Sequence, residues 1–549
     1  MKTQAIWMIA GAVLLSGCSA AHYKARADKE VYGIIGRKQI KTLGIEKPFT
    51  IEQEHAHPLL GLSLTQPEPL PNEPATSAVM ISLARALDIA GKNNREYQNR
   101  KEGVYLTALS LTLARHEWGP IFSGSLSSEY TKTQGDETVG GGAAFGLSKL
   151  FADGTRLGVN LSSDLLMHLV SNPREAAASL ITATLTKPLW RGARKRIAQE
   201  NLLQAEYDVV YSIRSFARFR KTFAVSIATS YYRVVQQRDS VLNAWNNYQN
   251  LILARDRTEM MAAAGRLPEF QVDQAKQNEL RAKDLYVRSV QRYKQSLDQF
   301  KIQLGLATDE AVVLDPKELV ALRNRGIIHP DISADDAIEI ALGLRLDLAN
   351  VADQLTDSAR KVEVAKNGLA PDIDLVLTSS VPTAHNRPNS FRTALGTYAA
   401  GIDVDLPLSR RSQRNTYRRA LISLERGERD AALTADEVKL DVRDAWRKLQ
   451  EARASYDIQQ ISLALATRRV ESTTLLQQAG RASTRDLLES QDALLEAQNA
   501  LTRALIDHTI ARLEFWRDTG VLEVDEHGLW KEDYDLDSYR SPEEPQIRE

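Results

Sequence analysis

Cysteine is almost missing: Cys18 is the only one in 549 residues. That excludes disulfides within the chain and metal sites built on cysteine. Excess charge of one sign is missing too. The net charge is −1, which leaves no basic field to draw nucleic acid. Beyond residue 18 no run approaches the ~18 consecutive apolar residues of a membrane-spanning helix. No nucleophile–base pair and no cluster of metal ligands shows in the spacing, so neither catalysis nor a resident metal or cofactor is expected. His55-Ala-His57 reads as a polar pair in a linker. The Gly140-Gly141-Gly142…Gly146 cluster lacks the strand–helix unit of a nucleotide loop and reads as a flexible loop between strands.

What the chain does contain, it contains twice. Residues 463–516 read as two helices folded back at Gly480, in the turn Ala479-Gly480-Arg481-Ala482-Ser483. Past the glycine, apolar positions recur in alternating strides of three and four, the seam of a coiled-coil helix. Glycine suits a helix C-terminus. Ser483 is a candidate N-cap, with Asp486 as the acid three residues on. An earlier turn, Ala263-Ala264-Gly265-Arg266, lies 215 residues before. Lys187-Pro188-Leu189-Trp190 corresponds to Leu406-Pro407-Leu408-Ser409, about 219 apart. Ile81-Ser82 and Pro120 correspond to Ile332-Ser333 and Pro371, 251 apart. This is a long internal duplication. The change of offset gives copy one roughly 32 extra residues between Pro120 and Pro188.

Read in order, residues 1–18 are a signal segment: Lys2, an apolar core, then Leu15-Ser16-Gly17-Cys18. Residues 19–76, with a short possible helix at 28–40 and a proline-rich run, read as an extended strap. Copy one spans 77–305: a helix over 77–117 opening at Ser77 or Ser82, strands within 121–188, and a helical hairpin over 193–305. The outer strands are placed at 121–131 and 178–188, with Asp153-Gly154 as a hairpin turn between two more. A linker covers 306–331. Copy two spans 332–520, with strands within 372–406 and a hairpin over 411–517. An acidic tail at 521–549 is expected on the surface. The strands are weakly apolar on one side and rich in Ser, Thr and Gly on the other, which fits membrane barrels and many soluble sheets alike. The long helices, on the order of 100 Å each, need long partners to bury their seams.

The opening Ile-Ser-Leu-Ala-Arg-Ala-Leu-Asp-Ile-Ala, the two strand-ending Pro-Leu motifs at Pro188 and Pro407, and Gln478-Ala479-Gly480-Arg481 leading to Asp486-Leu487-Leu488-Glu489-Ser490-Gln491 resemble the TolC-like outer-membrane efflux family over about residues 77–520. The resemblance implies a mainly α fold with membrane β: an antiparallel α-helical barrel continuous with an outer-membrane β-barrel shared by a homotrimer, four strands per chain making twelve. It implies a passive exit duct for small molecules or ions, joined through a periplasmic adaptor to an inner-membrane pump, with no catalytic residues and no nucleic acid. The same duct could serve protein secretion. A periplasmic adaptor or a non-transporting coiled-coil scaffold is the alternative of another class; two complete repeats with interposed strands count against both.

Leu15-Ser16-Gly17-Cys18 looks like a bacterial lipobox, so Cys18 is expected to carry a covalent lipid, with sorting to the outer membrane. By resemblance, Asp486 and Glu489 ring the narrow end of the pore. The bland alternative makes them N-terminal helix acids favoured by the helix dipole. Gly265, Arg266, Gly480, Arg481 and Arg485 fall at the periplasmic tip, as adaptor contacts, gate residues or solvated turn residues. The family's latch residues do not carry over: Gln477, Ala482 and Gln271 stand in those places.

Overall fold

The computed structural model describes residues 19–44, 48–52, 59, 64–65, 70–71, 77–134, 136–168, 175–384, 387–406, 408–525, 528–531, 534 and 539. Cys18, the His55/His57 pair and Pro407 lie outside the described residues. In chain order the first elements are α1 (Ala20–Leu43), β1 (Leu64–Thr65), β2 (Ala78–Ile81), α2 (Leu83–Asn93) and α3 (Arg95–His116). Four strands follow: β3 (Pro120–Thr133), β4 (Asp136–Leu150), β5 (Arg156–His168) and β6 (Glu175–Pro188). Then come α4 (Lys195–Ala198), α5 (Glu200–Ala263), α6 (Glu269–Leu304), β7 (Val312–Leu314) and α7 (Lys317–Arg325). Copy two supplies α8 (Ala334–Leu344), α9 (Leu346–Asn367), β8 (Asp372–Ala384), β9 (Arg387–Phe391), β10 (Thr397–Asp405), α10 (Arg411–Gln478) and α11 (Thr484–Thr519).

The duplication is visible element by element. α2 and α8 each have 11 residues, and α3 and α9 each have 22. Ser82 and Ser333 cap α2 and α8, accepting from the amides of Arg85 at 3.4 Å and Asp336 at 3.1 Å. α6 and α11 each have 36 residues. One expected helix is two: Asn94 breaks it, its side chain accepting from the Tyr97 amide at 2.9 Å and donating to the Gln303 carbonyl at 2.7 Å. Residues 78–81, given to that helix by its periodicity, are instead a strand. Ala-Val-Met-Ile is apolar enough to be buried between β1 and β7.

The chain divides into two units. The first comprises residues 1–50, 103–214 and 349–432. Its sheet runs β10-β8-β6-β5-β4-β3, antiparallel throughout, with β9 paired to the end of β8. The glycine cluster is not a loop: Gly140, Gly141, Gly142 and Gly146 lie inside β4. A Cβ at Gly142 or Gly146 would come within 2.7 Å of Ser127 Oγ or 2.5 Å of Ser123 Oγ, so the neighbouring strand's serines need glycine there. In the expected strap the short helix is longer than its pattern suggested: α1 has 24 residues and is capped by Ser19. Its Lys38 reaches Glu206 at 2.6 Å, which Arg115 also holds at 2.6 Å. Arg360 binds Glu200 at 2.9 Å and Asp357 at 2.6 Å, and the Tyr211 hydroxyl donates to Asp357 at 2.6 Å.

The second unit comprises residues 51–102, 215–348 and 433–549. Its core is the coiled-coil seam. Ile227, Tyr231, Val234 and Val241 of α5 are buried with Phe300 of α6, Val438 and Val442 of α10, and Phe515 and Trp516 of α11. The tail is not wholly a surface segment. Val521, Leu522, Val524 and Tyr534 are buried, and the Tyr534 ring meets Trp516 edge-on at 4.8 Å. The acidic composition of 521–549 masked these apolar residues.

Candidate functional site at the helical turns

Both turns close by the same backbone device. Gly265 and Gly480 have φ of +70° and +71°. The Arg266 amide donates to the Met261 carbonyl at 2.9 Å, and the Gly265 amide to Ala262 at 2.9 Å. The Arg481 amide donates to Leu476 at 2.8 Å, and the Gly480 amide to Gln477 at 3.0 Å. These are the paired bonds of a Schellman motif, which satisfies the last carbonyls of the preceding helix. A Cβ at either glycine would meet nothing within 4 Å, so the requirement is the left-handed φ alone. Arg266, Arg481 and Arg485 are exposed.

The helices that leave the turns begin differently. Ser483 accepts from the Asp486 amide at 3.2 Å. Asp486 Oδ2 in return accepts from the Ser483 amide at 2.9 Å and from its hydroxyl at 2.6 Å. This is a capping box. Those bonds hold the Asp486 carboxyl below its ordinary range, with smaller help from Arg485 and Arg469. Glu489 lies one turn on, and its Oε1 accepts from Arg469 at 3.2 Å. Both acids are exposed, and each also has a local partner. At the other turn Pro268 precedes α6 and makes no side-chain cap.

Sequence reasoning missed a polar contact between the two turns. The Thr484 hydroxyl donates to Gln271 Oε1 at 3.0 Å, and Gln477 Nε2 lies 3.5 Å from the same hydroxyl. Thr484 and Gln477 are buried, and Gln477 Oε1 has no hydrogen-bond partner among the described residues. Gln271 and Gln477 stood out only as departures from the family's latch. The signal available was that one polar residue stands on each side of Gly480, Gln477 before it and Thr484 after it, at the helix ends. Also missed was a histidine pair deeper in the seam. His329 Nδ1 lies 3.3 Å from His508 Nε2, and Gln450 Nε2 lies 3.0 Å from His329 Nε2. The seam spacing put His508 inside, but nothing in it brings residue 329 alongside.

Pro188 is the last residue of β6. It pairs with Asp374, and Leu189 continues the ladder by donating to the Ile373 carbonyl at 2.8 Å. Pro188 offers no amide of its own to the ladder, which is tolerated at a strand end.

Residues 337–515 match the family model of outer membrane efflux proteins. No curated protein matches the chain by sequence. Among solved structures, the fold is similar to that of the CmeC outer membrane channel of Campylobacter jejuni, with 15% identity, 83% of this chain and 88% of that chain covered, and a TM-score of 0.59. It is similar to the open-state MtrE outer membrane channel of Neisseria gonorrhoeae, with 13% identity, coverage of 86% and 98%, and a TM-score of 0.57. It is also similar to the outer membrane protein VceC of Vibrio cholerae, with 14% identity, coverage of 80% and 96%, and a TM-score of 0.56.

Proposed function

We propose that this chain, which carries an outer membrane efflux protein domain over residues 337–515 and has the fold of outer-membrane channels, is the outer-membrane duct of a tripartite export system. It conducts small molecules or ions passively, with the helical part in the periplasm, and works as a homotrimer with a periplasmic adaptor and an inner-membrane pump. Cys18 carries the lipid. One anchor of that kind binds a membrane only marginally, so the sheet does most of the anchoring.

The observation that carries this reading is the two-sidedness of the sheet. In β3, Phe122, Leu126 and Tyr130 project to one face, while Ser123, Ser125, Ser127 and Glu129 project to the other. The same split holds through β10, where Tyr398, Ile402 and Val404 are on the apolar face. Phe122 is 63% exposed, Leu126 66% and Ile402 66%. A sheet that shows large apolar side chains on one face and polar ones on the other matches a wall between lipid and water. Its outer edges, β3 and β10, need partners in a bilayer, because unpaired backbone groups are costly there. Copies of the same chain supply them.

At the tips, Asp486 and Glu489 form the constriction. Threefold symmetry brings about six carboxylates together, favouring cations. Arg266, Arg481 and Arg485 offer the adaptor a ring of exposed donors. The test is the mass of the detergent-extracted outer-membrane protein, with and without cross-linking. A trimer is expected, and monomers alone would overturn the reading. Cys18→Ser should abolish fatty-acid labelling; labelling that persists would remove the lipid from the account.

A further inference from the structure

Copy one carries a hairpin that copy two does not, β4 and β5, joined by a short turn at residues 151–155. We infer that this hairpin is part of the barrel wall, so that three chains close an 18-strand outer-membrane barrel in place of a 12-strand one. The inference rests on the export-duct reading and goes beyond it: it sets the width of the duct at the outer membrane.

Three observations carry it. The first is the ladder. β4 pairs with β3 over residues 136–149 and with β5 over 138–150, and β5 pairs with β6 over 156–167. The hairpin is hydrogen-bonded on both sides along nearly its whole length, so it is inserted between β3 and β6 and not laid over them. The second is sidedness. Following the registers, Phe122 lies beside Leu147, Val159 and Ala183. Gly124 lies beside Phe145, Leu161 and Ile181. The other face carries Ser123, Gly146, Asn160 and Thr182 in one row and Ser127, Gly142 and Asp164 in another. Phe145 and Leu161 are 54% and 37% exposed. A hairpin plugging the lumen or lying in water has no reason to hold its neighbours' lipid-side alternation. A one-residue slip in register would have inverted it.

The third observation is the turn. Gly154 has φ +85°, and a Cβ there would come within 2.9 Å of the Gly192 carbonyl and 3.1 Å of Pro188 Cγ. The turn is thus seated against the β6 exit. The extra turn, at residues 151–155, lies at the strand ends that lead to the helices, and short turns on the periplasmic side are what barrels of this membrane have.

Closure follows from strand direction. Neighbouring strands alternate in direction across six strands, so β3 and β10 run oppositely. The β3 of one copy and the β10 of the next can therefore pair antiparallel without a break in the pattern, and three copies of six strands make eighteen. Barrel diameter grows roughly linearly with strand number, so the wall is about one and a half times as wide as one of twelve strands. Glycine, serine and threonine on the lumen face leave that width open. The outer-membrane section then does not select by size, and selection falls to the helical tips.

The test is electron cryomicroscopy of the full-length protein in lipid nanodiscs, with the strands counted around the axis. Eighteen strands support the inference. A threefold barrel of twelve, with residues 136–168 outside the wall, overturns it and leaves the export-duct reading standing. No threefold barrel at all overturns both. Spin labels on Leu161→Cys and Asn160→Cys give an independent readout in the same bilayer. Residue 161 should be relaxed by dissolved oxygen and residue 160 by a water-soluble nickel chelate. Chelate access to both would contradict the wall assignment.

Discussion

The two helical turns are built alike and finished differently. Both close on Ala-Gly-Arg with a left-handed glycine and the same pair of backbone bonds. At the offset of 215 residues between the two glycines, however, Asp486 and Glu489 stand where copy one has Gln271 and Gln274. The serine cap and its reciprocal acid also belong to copy two alone. The duplication therefore preserved what the backbone needs and let charge diverge. A ring of carboxylates at these two positions comes from copy two, while copy one has its own acids at Glu269, in the first turn of α6, and Asp273.

Where the copies agree, matched substitutions should cost the same. Phe300 and Phe515 occupy equivalent positions in α6 and α11 and are 1% and 0% exposed. Phe300→Ala and Phe515→Ala should each destabilise by about 3–5 kcal/mol, read as similar drops in thermal denaturation temperature. A loss at one site only would mean that the two seams are not equivalent.

Where the copies differ, the effects should be one-sided. His508 corresponds to Tyr293, also buried. Burial lowers the His508 pKa to about 4, helped by His329 opposite and by Arg512 and Arg453. The folded state thus binds fewer protons than the unfolded chain, whose histidine titrates near ~6.5. Stability from this site is complete above that pH and is lost as pH falls from about 6.5 toward 4. Denaturation scans should show that decline, and His508→Gln should flatten it. An unchanged slope would assign the acid sensitivity elsewhere. The smallest effect is expected at the caps. Ser483→Ala should cost ~1 kcal/mol, whereas Pro268→Ala removes no cap bond and should cost less in the same scan. Equal losses would show that the capping box adds nothing.

The backbone plan was legible in the sequence because it rests on local chemistry. Gly480 and Gly265 mark turns, Ser82 and Ser333 mark helix starts, and Pro188 marks a strand end, and each acts within a few residues of itself. Asp153-Gly154 announced the extra hairpin, and alternation gave its strands. The errors came from composition standing in for contact. Glycines at 140–146 were read as flexible, since nothing local shows the serines of β3 lying over them. Residues 521–549 were read as a surface tail because the acids outnumber the apolar residues, among them the buried Val521, Leu522 and Tyr534. Asp486 and Glu489 were legible as acids near a helix N-terminus. Their hydrogen bonds to Ser483 and Arg469, and the Gln271–Thr484–Gln477 contact, depend on side-chain geometry that spacing does not carry.

The most direct test of the duct and its charged tip is the reversal potential of single channels in a planar bilayer under a salt gradient. Wild-type protein should prefer cations and be blocked by divalent ions from the tip side. Asp486→Asn with Glu489→Gln gives these two positions neutral amides, as at Gln271 and Gln274 of copy one, and keeps acceptors for the cap; it should abolish most of that preference and the block. Gln271→Ala with Gln274→Ala should leave both unchanged. A double-neutral variant that assembles normally and keeps its full cation preference would contradict the assignment.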